Sequence, residues 1–384
     1  MHFYEDPRLV SQWRMTIIDQ VPDYIRSLIP YAPGKPIEEV EREYGIEGSI
    51  KLASNENPLG PSPKAVKALR DRLDQLHLYP DGDCFYLKNG LAQKLGVSPE
   101  RVIFGNGSNE LIELAVRTFM RPGEEAVMAH QAFVIYRLVV QAAGGCCRIV
   151  PLKDFTHDLE AMARAVTPKT RLLFLANPNN PTGTMYRRKE WERFLGPLDP
   201  AILLVVDEAY FEYVTDPEYP DSLFYQRERK TLLTMRTFSK LYGLAGLRIG
   251  YAIGDEEIVG LMHRVRQPFN VNAAAQWAAL AALDDHEHVE RTLKVNREGK
   301  AYLSQQIVRL SLEQVPSEAN FILVRVGDGE ELFKRLLRFG VIVRPMGAYD
   351  LPEYIRVTVG TREENVRFIE CLKEVIGVQK RAEA

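Results

Sequence analysis

Apolar residues along this chain follow two rhythms. From Tyr79 to about residue 285, short runs of consecutive apolar residues alternate with stretches in which they recur three and four apart. The runs lie at 101–104, 126–129, 147–150, 171–176, 202–206, 231–235 and 249–253. A run such as Ile202-Leu-Leu-Val-Val has no polar side, so it predicts a strand covered on both faces. The spacing between runs predicts helices, among them 109–120 and 133–143, the second stopped by Gly144-Gly145. Together these predict an α/β fold, a mostly parallel seven-stranded sheet with helices on both faces.

Beyond residue 285 the rhythm changes. A long helix is predicted over 289–310, a strand over 320–326, and a helix over 330–339 ended by Gly340. Strands at 341–344 and 354–359 and a closing helix at 362–376 complete a smaller α+β domain. Ahead of the sheet, Val21, Ile25 and Leu28 have helical spacing. An extended link at Tyr31-Ala-Pro-Gly-Lys-Pro leads to an acidic helix over 37–44, and a strand from Ile50 runs into a proline-bounded polar loop. Pro63 opens the next helix, the position where its missing N–H costs nothing. The expected organisation is a segment 15–75 that joins the small domain, a large domain 76–285 and a small domain 286–378. Residues 1–14 and 379–384 are expected to be flexible tails, and Met15 is a possible alternative start.

Composition narrows the function classes. With 384 residues, 46% hydrophobic and 26% charged, the chain has the make-up of a globular protein able to bury a large core. A net charge of −3 gives no electrostatic reason for nucleic acid or an anionic membrane as partner. No stretch has the length of a membrane-spanning helix, and the first residues lack the apolar run of a signal peptide. Four cysteines without CxxC spacing read as free thiols, hence a cytoplasmic location.

Candidate chemistry gathers where strands should end. In parallel α/β sheets ligands sit at the carboxyl ends of strands. Lys240 stands on the turn after 231–235, in Thr237-Phe-Ser-Lys-Leu-Tyr-Gly-Leu-Ala-Gly-Leu-Arg248. A lysine that forms and breaks an imine needs a desolvated seat, and the hydroxyls of Thr237 and Ser239 with Arg248 suit a phosphate. Backbone N–H groups of Gly107, Ser108 and Asn109 at the start of a helix would add to that anion seat. Asp207 ends an apolar strand, where a buried carboxylate suits a pyridinium N–H. Tyr210, and Asn180 in Asn177-Pro-Asn-Asn-Pro-Thr-Gly, can hydrogen-bond a phenolate oxygen, and Phe133 can stack on a ring. The set points to a phosphorylated aldehyde cofactor, pyridoxal phosphate. Taken singly, each residue also has a plain structural reading. Asp207 is a possible helix cap, Gly105-Asn-Gly a tight strand-to-helix turn, and Phe133 a core side chain.

The ordered motifs GNGSNE, NPNNPTG, VVDEAY and TFSKLYGLAGLRIGY resemble the fold-type I, class II aminotransferases, over nearly the whole chain. More narrowly, VPDYIRSLIPYAPGKPIEEV, KLASNENPLGPSP, YPDGDCFYLKNGLA and VIVRPMGAYDLPEYIRVTVGTREEN are similar to the histidinol-phosphate aminotransferase family. The resemblance implies Lys240 as the Schiff-base lysine, Asp207 under the pyridine nitrogen, and Asn180 and Tyr210 on the phenolate. It implies a homodimer with shared active sites, Tyr79 reaching the neighbouring subunit's cofactor phosphate. It also implies Arg344 and Arg356 as substrate anion binders, with Glu56 near the substrate imidazole and Asn57 beside it in the same loop. The expected reaction is transamination of histidinol phosphate with 2-oxoglutarate. An aromatic amino acid as donor, or decarboxylation of threonine phosphate, stays open. Where relatives carry a Pro-Thr-Tyr-like element, this chain has His130-Gln-Ala-Phe133, which keeps the aromatic and loses the hydroxyl.

Overall fold

The structure is a computed structural model that describes residues 16–31 and 34–382, with side chains up to residue 377. The expected tail 1–14 and residues 383–384 lie outside the described residues.

The large sheet has seven strands. In chain order they are β1 (Val102–Gly105), β2 (Glu125–Ala129), β3 (Cys146–Val150), β4 (Thr170–Ala176), β5 (Leu203–Asp207), β6 (Leu232–Thr237) and β7 (Gly250–Ile253). Their spatial order is β1-β7-β6-β5-β4-β2-β3. All neighbours are parallel except β7, which runs antiparallel to both β1 and β6. Burial explains the apolar runs. Along β4, Leu172 and Phe174 pack into one core with Leu111, Ile112 and Val140, while Leu173 and Leu175 pack into another with Trp191 and Phe194. Alternate side chains thus enter opposite cores, and neither face of the strand meets water. β3, at one edge of the sheet, is the exposed exception, whereas β1 at the other edge is buried throughout.

The second layer follows residue 285. A helix His286–Arg309, started by the Asp285 side chain, leads to β8 (Glu313–Val315), β9 (Phe321–Arg325), β10 (Arg344–Pro345) and β11 (Tyr354–Thr358). These form an antiparallel sheet in the order β8-β9-β11-β10. The apolar stretch 341–344, expected as one strand, divides at Val343. Val341–Ile342 pairs with Ile50–Lys51, and Arg344–Pro345 pairs with β11. Leu52 shares a core with Leu303, Ile322, Val341 and Phe368, so the chain ahead of the large sheet packs with its end. The helical spacing at Val21, Ile25 and Leu28 yields only Asp23–Arg26 as helix, with no residue buried. The closing helix, expected over 362–376, runs as Arg362–Ala382.

Candidate active site

The carboxyl ends of β1, β4, β5 and β6 open on one cavity of about 410 Å³. The antiparallel strand β7 is essential to its construction. Gly250 is in register with both Gly105 and Thr237, so Arg248, two residues earlier, falls between the ends of β1 and β6. Gly107 has φ +79°, and a Cβ there would lie 2.6 Å from Arg248 Nη2. The guanidinium therefore lies against the backbone turn that begins the helix Ser108–Phe119. Ser108, Asn109, Thr237, Ser239 and Arg248 all line the cavity at this end. N–H groups of a helix start beside hydroxyls and a guanidinium fit a phosphate dianion.

Lys240 enters from the turn after β6, its Nζ 3.1 Å from the Ser54 carbonyl. Burial first, then the positive Arg356, pulls its pKa down to about 8, against an opposing pull from Glu56. Asp207 is buried at the end of β5, where it accepts hydrogen bonds from Tyr136 Oη (2.7 Å) and the Ala209 N–H (3.1 Å). Burial raises its pKa, and those two donors work against that rise. No cation lies within hydrogen-bonding distance of this carboxylate among the described residues. A protonated ring nitrogen would answer that need. Tyr210, with its pKa pushed up to about 12 by burial, accepts from Asn55 Nδ2 at 2.9 Å. Phe133 and Asn180 also face the cavity.

At the other end, Arg344 and Arg356 are direct cross-strand partners on β10 and β11, and both line the cavity. Like charges in that register repel unless an anion lies between them. Arg356 is buried; its Nη2 donates to the Ala53 carbonyl at 2.8 Å, its Nη1 to Asn180 Oδ1, and its Nε is buried without a partner. A guanidinium only donates, so the Asn180 oxygen is fixed against Arg356 and its amide nitrogen is turned away, free to donate. Tyr31 and Tyr349 close this end, and Glu56, paired with Lys51 at 2.9 Å, lines the wall.

Two expected site residues are not brought in. Asn57 Nδ2 donates to the Leu241 carbonyl (2.8 Å) and to Thr292 Oγ1 (3.2 Å), and does not line the cavity. It ties its loop to the Lys240 turn instead, because those carbonyl and hydroxyl acceptors lie behind the cavity wall. Tyr79 is 84% exposed, stacked on Phe269 with ring centroids 5.0 Å apart, and reaches no part of this chain's own cavity. Conversely, Asn55 is legible in sequence only as a polar group of its loop, and Tyr136, Tyr31 and Tyr349 are not singled out, yet all four line the cavity. Tyr136 follows Phe133 by three residues; the two rings meet edge to face with centroids 5.7 Å apart, and both line the cavity. In the divergent stretch, His130 Nε2 pairs with Asp350 Oδ2 at 2.9 Å and the Gln131 carbonyl accepts from Asn179 Nδ2 at 2.8 Å.

Comparison with known proteins identifies the family. The sequence model of the aminotransferase class I and II family matches residues 47–372. The chain belongs to the class I and II aminotransferases. A histidinol-phosphate aminotransferase of Moorella thermoacetica is 51% identical over 92% of this chain and 92% of its own length. Histidinol-phosphate aminotransferase 1 of Nitrosococcus oceani is 50% identical over 92% of this chain and 95% of its own. Among solved structures, histidinol-phosphate aminotransferase from Sinorhizobium meliloti in complex with pyridoxal 5'-phosphate superposes with a TM-score of 0.86. It is 28% identical and covers 97% of this chain and 99% of its own. The fold is that of these aminotransferases, with a seven-stranded α/β sheet at its centre.

Proposed function

We propose that this chain is a pyridoxal-phosphate-dependent aminotransferase that moves the amino group of L-histidinol phosphate to 2-oxoglutarate, giving imidazole acetol phosphate and glutamate. The observation that carries the reading is one cavity holding a lysine near neutrality at one end and a cross-strand arginine pair at the other. Relatives half identical to the chain bear the name of that activity.

The residues divide the work by position. Gly107, Ser108, Asn109, Thr237, Ser239 and Arg248 would hold the cofactor phosphate, Phe133 would cover the ring, and Asn180 and Tyr210 would donate to the ring oxygen. Asp207 would hold a proton at the ring nitrogen. The cofactor, when bound, supplies an electron-withdrawing ring that stabilises negative charge at the substrate Cα. Lys240 removes and returns the Cα proton, and a pKa near 8 lets its amine do so at neutral pH. Arg344 and Arg356 take the phosphate of histidinol phosphate or a carboxylate of glutamate, since a guanidinium binds either through two parallel N–H groups. Glu56, which lines the same cavity, would accept from the substrate imidazole N–H.

A second copy would complete the site. Leu73, Leu76, Leu78, Tyr79, Phe85 and Tyr86 are exposed within fourteen residues, and Phe269 stacks on Tyr79. A single copy leaves that patch in water, and a homodimer that covers it would carry Tyr79 to the neighbour's phosphate seat. No described helix is long and apolar enough to cross a membrane, and the four cysteines are unpaired; we place the enzyme in the cytoplasm.

The test mixes purified protein and cofactor with histidinol phosphate, phenylalanine or threonine phosphate in a stopped-flow spectrometer. Rapid loss of the cofactor's visible band with histidinol phosphate, and slow responses to the others, is the expected result. A fast response to phenylalanine alone makes the chain an aromatic aminotransferase, and CO₂ release from threonine phosphate makes it a decarboxylase.

A further inference from the structure

Asn55 sits in the polar loop after Ile50–Lys51, 1% exposed and in the left-handed backbone region at φ 55°. Its hydrogen bonds form a chain with one direction. The Asn55 backbone N–H, which can only donate, gives its hydrogen to Thr358 Oγ1 at 2.9 Å. The Thr358 hydroxyl hydrogen then goes to Asn55 Oδ1, 3.2 Å away. That assigns Oδ1 as the acceptor and sets Nδ2 against Tyr210 Oη at 2.9 Å. An amide nitrogen only donates, so Tyr210 Oη accepts on that side and its own hydrogen points elsewhere. Tyr210 and Asn55 both line the cavity.

The opposite amide orientation fails on this geometry. With Oδ1 against Tyr210, the tyrosine hydrogen would be drawn out of the cavity. The Thr358 hydroxyl, 3% exposed, would face an NH₂ group and lose its acceptor. The loop is held besides by Asn320 Nδ2, which donates to the Asn55 carbonyl at 3.1 Å. Asn320 precedes β9 and Thr358 ends β11, so two residues of the second layer fix an amide that touches a tyrosine of the first. Asparagine suits the place because it tolerates φ > 0 and offers a donor and an acceptor together.

We infer that Asn55 is a positioning residue that turns the Tyr210 hydroxyl hydrogen into the cavity, toward the ring oxygen of the cofactor, with Thr358 setting the direction. The inference rests on the proposed role of Tyr210. A hydrogen bond to that ring oxygen favours its anionic form, so losing the bond moves the pH midpoint of the bound cofactor's visible band upward. Lys240 is faced by Arg356, Glu56, Arg248 and Asp207, and Tyr210 by Arg356, Asp207 and Tyr349. None of these charges changes in the variants below.

The experiment titrates the visible band of the holoenzyme in wild type, Tyr210→Phe, Asn55→Gly, Thr358→Val and Asn55→Gly/Tyr210→Phe. Glycine keeps the left-handed backbone, and valine keeps the shape of threonine while freeing the amide to turn. Tyr210→Phe should raise the midpoint by about one pH unit or more. Asn55→Gly and Thr358→Val should each raise it by about 0.4 to 1 unit, the worth of one neutral hydrogen bond. Asn55→Gly should add nothing once Tyr210 is Phe. An unchanged midpoint in Thr358→Val and Asn55→Gly, or an equal shift in the Phe background, overturns the inference while leaving the proposed function intact. If Asn55→Gly fails to fold, Thr358→Val against Tyr210→Phe decides by the same criterion. A wild-type protein that forms no visible band with the cofactor overturns the function and the inference together.

Discussion

Single residues of this site are held at a cost that chemistry explains. Lys240 is the clearest case. Its pKa falls from the ordinary 10.5 to about 8, chiefly through burial and then through Arg356. In the unfolded chain it would titrate at its ordinary value, so between about pH 8 and 10.5 the unfolded state binds more protons, and stability rises with pH in that window. Below pH 8 the penalty of the buried charge is fully present. Lys240→Met should therefore raise the melting temperature of the cofactor-free protein at pH 7, with the gain shrinking as pH approaches 10.5. A gain that grows with pH would contradict the assignment of Lys240 as a destabilised amine. Arg356 makes the complementary case, since its Nη groups are committed to Ala53 and Asn180 while Nε has no partner. A lysine there cannot span those acceptors and an anion together. Arg356→Lys should lower kcat/KM about 10- to 100-fold for both histidinol phosphate and glutamate, the worth of one charged hydrogen bond. A loss confined to one of the two would show that they do not share this arginine.

At the level of elements, the turn from β1 into the helix Ser108–Phe119 carries the proposed phosphate seat, and Gly107 is its narrow point. A methyl group there would meet Arg248 Nη2 at 2.6 Å, on a backbone at φ +79° that side chains rarely adopt. Gly107→Ala should weaken cofactor binding about 10- to 100-fold, from backbone strain of about 1–3 kcal/mol, measured by titrating cofactor into the apoprotein. Unchanged affinity would remove this turn from the phosphate site. That glycine was legible because it stood in an ordered motif, and the seven strands were legible because burial on both faces leaves no polar positions in them. The reversed direction of β7 was not, because pairing is decided by contacts distant in sequence. Nor was the break at Val343, where a uniform apolar run serves two sheets. The polar loop Asn55-Glu-Asn57 shows the limit most sharply. Its two asparagines are alike in sequence context, yet Asn55 faces the cavity and Asn57 turns to Leu241 and Thr292. Only the three-dimensional position of the acceptors separates them. In the divergent stretch the hydroxyl is missing just before Phe133, and His130 at its start links the loop to Asp350 of the second layer, a contact no local pattern announces.

The whole molecule raises the question of how many chains make a working site. Within one copy every expected cofactor contact lies in or beside the cavity except Tyr79, which stands on the exposed apolar stretch with Leu76, Leu78 and Tyr86. If the proposed homodimer shares its sites, two disabled chains should rescue each other. A Lys240→Ala chain has no proton-transferring amine but offers a sound Tyr79, and a Tyr79→Ala chain has the amine but lends its partner no phenol. Refolding the two together in equal amounts should yield mixed dimers with one complete site in every two. Activity should then recover to about a quarter of wild type, while each variant alone stays low. Leu78→Asp, which places a charge in the apolar patch, should shift the protein toward monomer in sedimentation and lower cofactor affinity at the same dilution. Absence of rescue, with both variants folded and dimeric, would confine each site to one chain and leave Tyr79 as part of the interface alone.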